Sequence, residues 1–157
     1  VLVPLNIHAV VKYVTMLFIV DTKLQPLPQS VSVAQCDLGI AFETAPFTPT
    51  AQDFQWQGDI PTDQQGRPIV PGTPEMDMLR DYFFRVVKVD NENVINIGFR
   101  NFKWPGHITL DRPIKMRYVL TRIKSRLGCK DVTWSAELIN GDGKIAVTLD
   151  IQQRWYN

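Results

Sequence analysis

The sequence predicts an α+β domain in which a curved antiparallel sheet wraps around one long helix. Three observations carry this expectation. Residues 73–88, "TPEMDMLRDYFFRVVK", have apolar residues at helical spacing. Four strand-like stretches follow them. Between the last two, "NGDG" at 140–143 is a hairpin signal, because Asn, Asp and Gly accept positive φ. At 157 residues the chain is long enough for one domain with a real core, and a single domain over 1–157 is expected.

The first candidate element is a short helix over residues 5–14, with Ile7, Val10, Val11 and Val14 on one face. "MLFIVD" (16–21) reads as the start of a strand. "QPLPQS" (25–30) is a turn, since two prolines cannot sit inside a central strand. "VSVAQCDLGIAFET" (31–44) reads as one extended strand or two short ones, and "APFTPTAQD" (45–53) as a loop. At the start of the long helix, Thr73 suits the N-cap and Pro74 the first helical position, where a missing N–H costs nothing. Glu75 and Asp77 complement the helix dipole. Met76, Leu79, Phe83 and Val86/Val87 make the apolar stripe. "VINIGFRNFKW" (94–104) is a strand in which Gly98 marks a bulge or a close approach. "IKMRYVLTRIKSR" (114–126) alternates: Ile114, Met116, Tyr118 and Leu120 share one face, Lys115, Arg117 and Val119 the other. "DVTWSAELI" and "KIAVTLDIQQRW" flank the hairpin. Four consecutive strands in a meander must cover something apolar, and the Met76/Leu79/Phe83 face is the candidate. That arrangement is a hot-dog fold, with its central helix at about 73–88.

Composition narrows the functional classes. A formal net charge of +1 gives no global electrostatic case for nucleic acid or a membrane surface. The most apolar N-terminal run, "VVKYVTMLFIV", is interrupted by Lys12 and too short to span a bilayer. It also lacks a signal-peptide cleavage pattern, so a soluble, cytoplasmic protein is expected. Cys36 and Cys129 fit no metal or redox spacing and read as free thiols. No phosphate-binding glycine loop, zinc spacing or Ser-His-Asp constellation is apparent, and neither metal nor cofactor is expected. The two histidines, His8 and His107, fall in the N-terminal helix and in the turn "WPGHI". Trp56, Trp104, Trp134 and Trp155 suit a core or an acyl pocket. Lys115, Arg117, Arg122, Lys124, Arg126 and Lys130 gather on and beyond one strand, as a solvated face or a docking surface for an acidic partner.

Four stretches together resemble the β-hydroxyacyl-acyl-carrier-protein dehydratases, closest to the dehydratase/isomerase branch and its relatives inside fatty-acid and polyketide synthases. They are "MLFIVD", "GDIP…GRPIVPG", "PGTPEMDML" and "IGFRNFKWPGHI". The resemblance implies a histidine base, a helix carboxylate that helps the β-hydroxyl leave, and a glycine N–H at the helix start that polarises the thioester carbonyl. Gly72 and Asp77 match the last two by position, and Pro71 and Gly98 join Gly72 as substrate-contacting positions. Unpaired N–H groups at a helix start favour developing negative charge, and a glycine there admits an acyl chain close to the backbone.

The histidine is missing. A gapped match puts Asp59 in its place, and an ungapped count puts Asp63 there. A free Asp, with a pKa of about 3.9 against about 6.5 for His, is the poorer base. Burial or a second carboxylate raises it, so an Asp59–Asp77 dyad is one chemical solution. Three functions stay open. The first is a dehydratase acting on 3-hydroxyacyl and enoyl thioesters carried by acyl carrier protein. The second is a non-catalytic, dehydratase-like structural or acyl-binding domain, favoured by the lost histidine and the start at Val1. The third is a hot-dog thioesterase using a carboxylate. The resemblance also implies a homodimer or a paired hot-dog unit.

Overall fold

The computed structural model describes residues 37–54, 58–70, 72–87, 89–90 and 93–156. The expected helix at 5–14, the strand at 16–21, His8, Cys36, Trp56 and Pro71 lie outside the described residues.

Among the described residues, one helix, α1 (Gly72–Val86), packs on a five-stranded antiparallel sheet. The strands are β1 (Ala41–Glu43), β2 (Val94–Lys103), β3 (Lys115–Arg126), β4 (Cys129–Ile139) and β5 (Ile145–Tyr156). Within 37–44, the expected extended strand amounts to the three residues of β1. The expected loop after it holds a short 3-10 turn, Ala51–Phe54, and a bridge from Phe47 to Ile114.

Strand parity follows the alternation in the sequence. Ile114, Met116, Tyr118 and Leu120 are all buried, while Lys115, Arg117 and Val119 face the other way. β4 and β5 meet through the expected hairpin, where Gly143 takes a φ of 77° and donates to the Asn140 carbonyl. The order of strands corrects one expectation. It is β1-β3-β4-β5-β2, so β2 pairs with β5 rather than with its sequence neighbour β3. β2 suits an edge: most of its residues are exposed, and its register slips at Asn96/Gly98 and Arg100/Lys103. The chain must then travel back from one side of the sheet to the other, and the connection 104–114 does so past the start of α1.

The stripe on α1 is also rotated from expectation. Glu75, Met78, Leu79, Tyr82, Phe83 and Val86 are buried, while Met76 only packs partly against the core. Phe83 meets the rings of Tyr118 and Trp134 edge-on, at 5.4 and 5.8 Å. Tyr118 donates its hydroxyl to the Leu79 carbonyl at 2.7 Å, tying sheet to helix. Gln153 is the polar centre of this core, its side-chain oxygen accepting from the indoles of Trp134 (3.2 Å) and Trp155 (3.1 Å). A buried amide so placed satisfies two indole donors that would otherwise be stranded. Cys129 is a buried free thiol.

Candidate active site

Three segments converge at the N-terminal end of α1. The chain before the helix pairs with the returning connection: Val70 donates to the Ile108 carbonyl (3.2 Å), Leu110 to the Pro68 carbonyl (3.0 Å), and Ile69 bridges Thr109. The connection thereby lies against the first turn of the helix. Its Ile108 N–H donates to Glu75 Oε1 at 3.0 Å, from 33 residues away. Glu75 is 1% exposed. Burial pushes its carboxyl up to about 7, against the smaller downward pull of the Ile108 hydrogen bond. A carboxyl raised toward neutrality suits an acid/base group.

In the sequence Glu75 stands only as a first-turn residue complementing the dipole. The signal for more was present in its spacing. Residues 75, 79, 82, 83 and 86 are one helical stripe, so an acid at the head of an apolar face has to be enclosed. Asp77 sits about 200° further round at 100° per residue. Its side chain is 46% exposed and pairs with Arg80 at 3.1 Å. Asp59 is also exposed. Both carboxylates are thus open to solvent in this structure.

Asp63 has a defined structural task. One carboxylate oxygen accepts from the Gln65 and Arg67 N–H groups, both at 2.9 Å, and the other from Arg67 Nε at 2.7 Å. These contacts close a turn through Gly66, at φ 74°. Desolvation raises the Asp63 carboxyl, but the hydrogen bonds from Arg67 and Gln65 together outweigh it and hold it below its ordinary value. His107 Nε2 lies 4.0 Å from Asp63 Oδ2. His107 is also the residue before Ile108, so its backbone adjoins the Glu75 carboxylate.

At Gly72 the close approach that glycine permits is made by a side chain of the protein itself. Trp104 Nε1 donates to the Gly72 carbonyl at 2.9 Å, and a Cβ at position 72 would stand 2.6 Å from that nitrogen. Trp104 is 46% exposed and stacks on Phe102, so it forms a rim rather than core. Gly98 lies elsewhere. It pairs with Gln152 after the register slip in β2, on the sheet face turned away from α1. Among the described residues, no cluster of three or more His, Cys, Asp and Glu is arranged to hold a metal, and no helix is long and apolar enough to cross a membrane.

A single helix enclosed by this antiparallel sheet is a hot-dog fold, and solved structures share it. The monoamine oxidase regulatory protein of Archaeoglobus fulgidus superposes with a TM-score of 0.66 at 15% identity, over 83% of this chain and 97% of that one. The R-hydratase PhaJ1 of Pseudomonas aeruginosa gives 0.61 at 16% identity, over 79% and 84%. A MaoC-like dehydratase of Rhodospirillum rubrum gives 0.60 at 13% identity, over 80% and 96%. The chain thus has the fold of hot-dog hydratases and dehydratases. No family model and no curated protein matches its sequence.

Proposed function

We propose that this domain binds 3-hydroxyacyl and 2-enoyl thioesters and interconverts them by loss or addition of water, with Glu75 as the group that carries the proton. The observation that supports this most is the enclosed carboxyl, raised to about 7, at the start of α1. In dehydration a base removes the α-carbon proton, the Cα–Cβ double bond forms, and the Cβ–O bond breaks. Protonated Glu75 gives its proton to the departing hydroxyl, which leaves as water. His107, beside Asp63, is the candidate base, with Asp63 orienting it rather than replacing it. Asp59 and Asp77 serve as surface carboxylates in this reading. The Gly72 N–H polarises the thioester carbonyl, and a thioester reaching it displaces the Trp104 indole. An acyl carrier protein presents the substrate. A second copy pairs along β2, whose Ile95, Ile97 and Phe102 are exposed beside the sheet edge.

The test is incubation with a 3-hydroxyacyl and a 2-enoyl thioester, each on carrier protein and on pantetheine, following enoyl absorbance and free thiol. Interconversion that is lost in Glu75→Gln supports the reading. Tight binding without turnover identifies a non-catalytic acyl-binding domain, and thiol release without enoyl formation identifies a thioesterase. Either outcome overturns the proposal.

A further inference from the structure

The face of the sheet turned away from α1 carries a polar feature separate from the helix start. An open groove of about 300 Å³ crosses β3, β4, β5 and β2, with Arg100, Arg122, Lys124, Thr133, Gln152 and Arg154 among its walls. Register brings them together. Arg122 pairs with Thr133, Thr133 with Gln152, and Gln152 with Gly98, in one row across four strands. The next row holds Lys124, Asp131 and Arg154. At about 4.8 Å between strands, a row from β3 to β2 spans roughly 14 Å. Gly98 adds no side chain to it, and only Gln152 Oε1, at 3.6 Å, comes near where its Cβ would stand. The β2 end of the groove therefore has an open floor.

Charge on this face is unevenly satisfied. Asp131 is held by Arg154 and Arg126, and their hydrogen bonds bring its carboxyl down to about 2. Arg117 pairs with Glu137. Asp150, opposite Arg100 in register, accepts from Asn101 Nδ2 at 2.5 Å. Arg100, Arg122 and Lys124 make no ion pair or side-chain hydrogen bond among the described residues. Arg122 and Lys124 lie two residues apart on one face of β3, and Arg100 stands across the groove on β2. Like charges gathered around one groove repel, so three cations without an ion pair favour an anion between them. A lone oxyanion reaches one or two of them, whereas linked phosphates engage all three. Guanidinium groups bind phosphate oxygens bidentately. We infer that this groove is a site for a small polyphosphate-bearing ligand, held by Arg100, Arg122 and Lys124 and by the polar side chains of Thr133 and Gln152.

The experiment is titration calorimetry at low ionic strength with inorganic tripolyphosphate, pyrophosphate and orthophosphate. Affinity should fall in that order and weaken with added salt. Arg122→Ala and Lys124→Ala change exposed residues and should each weaken tripolyphosphate binding on the order of tenfold. Arg112→Ala, whose cation pairs with Asp142 instead, should leave it unchanged. Thermal melts confirm that each variant is folded. A nucleoside triphosphate that outbinds tripolyphosphate supports the site and identifies nucleotides as its source. Equal, weak binding of all three anions, or indifference to both substitutions, overturns the proposal. So does capture of an acidic carrier protein or a single-stranded oligonucleotide without tripolyphosphate binding, which reassigns the groove to macromolecular docking.

Discussion

Replacing Glu75 by Gln removes a proton site while keeping a side chain of nearly the same shape and an oxygen for the Ile108 N–H. The carboxyl rises from an ordinary 4.5 to about 7 because burial disfavours its charged form. At about 1.4 kcal/mol per pH unit, ionising it in the folded protein costs roughly 3 kcal/mol. Between pH 4.5 and about 7 the folded protein keeps a proton that the unfolded chain has released. Stability therefore falls as pH rises through that window and levels off above it. Gln does not titrate, so Glu75→Gln escapes this loss. Its stability relative to the parent should improve by roughly 3 kcal/mol between pH 4.5 and 8, a large share of the 5–15 kcal/mol typical of a domain. Urea unfolding of both proteins across that range measures the difference, and groups common to both cancel. A gap between the two that does not change with pH would refute the enclosure of Glu75 and, with it, the proposed acid/base role.

Two further outcomes follow from the same structure. Gly72→Ala drives a Cβ into the Trp104 indole and should destabilise by roughly 1 kcal/mol through the lost Trp104 hydrogen bond. The cost should vanish in a Trp104→Ala background, which a double-mutant cycle in urea reads directly. Gln153→Leu strands the indole N–H groups of Trp134 and Trp155 and should cost roughly 2–4 kcal/mol by thermal or chemical unfolding. A loss below the scatter of surface substitutions would show that other groups satisfy those donors.

The secondary structure from residue 72 on was legible because local periodicity reports it. The alternation of Met116, Tyr118 and Leu120 with Lys115, Arg117 and Val119 sets which face of β3 is buried, whatever the strand pairs with. "NGDG" likewise places the β4–β5 hairpin by its own backbone preferences. The position of β2 was not legible in this way. Its pairing with β5 joins residues 45 to 61 positions apart, and a run of polar and apolar residues does not state which edge it occupies.

The same division runs through the site. Sequence placed a glycine and two acids, Glu75 and Asp77, at the start of one helix, and its expected stripe began at Met76 and left Glu75 as a dipole partner, whereas the structure turns Glu75 inward with Leu79, Tyr82, Phe83 and Val86. What it left undecided was the environment of each carboxylate. Desolvation depends on what covers a group, and Glu75 is covered because β2 lies at the far edge and the returning chain 104–114 must pass the helix start. Ile108 and His107 arrive there by that route alone. Asp63, equivalent to Asp59 on the page of the sequence, becomes a turn-closing acceptor beside His107, whereas Asp59 stays exposed. Local chemistry thus chose the elements and their faces, and the path of the chain between them chose which carboxylate is enclosed.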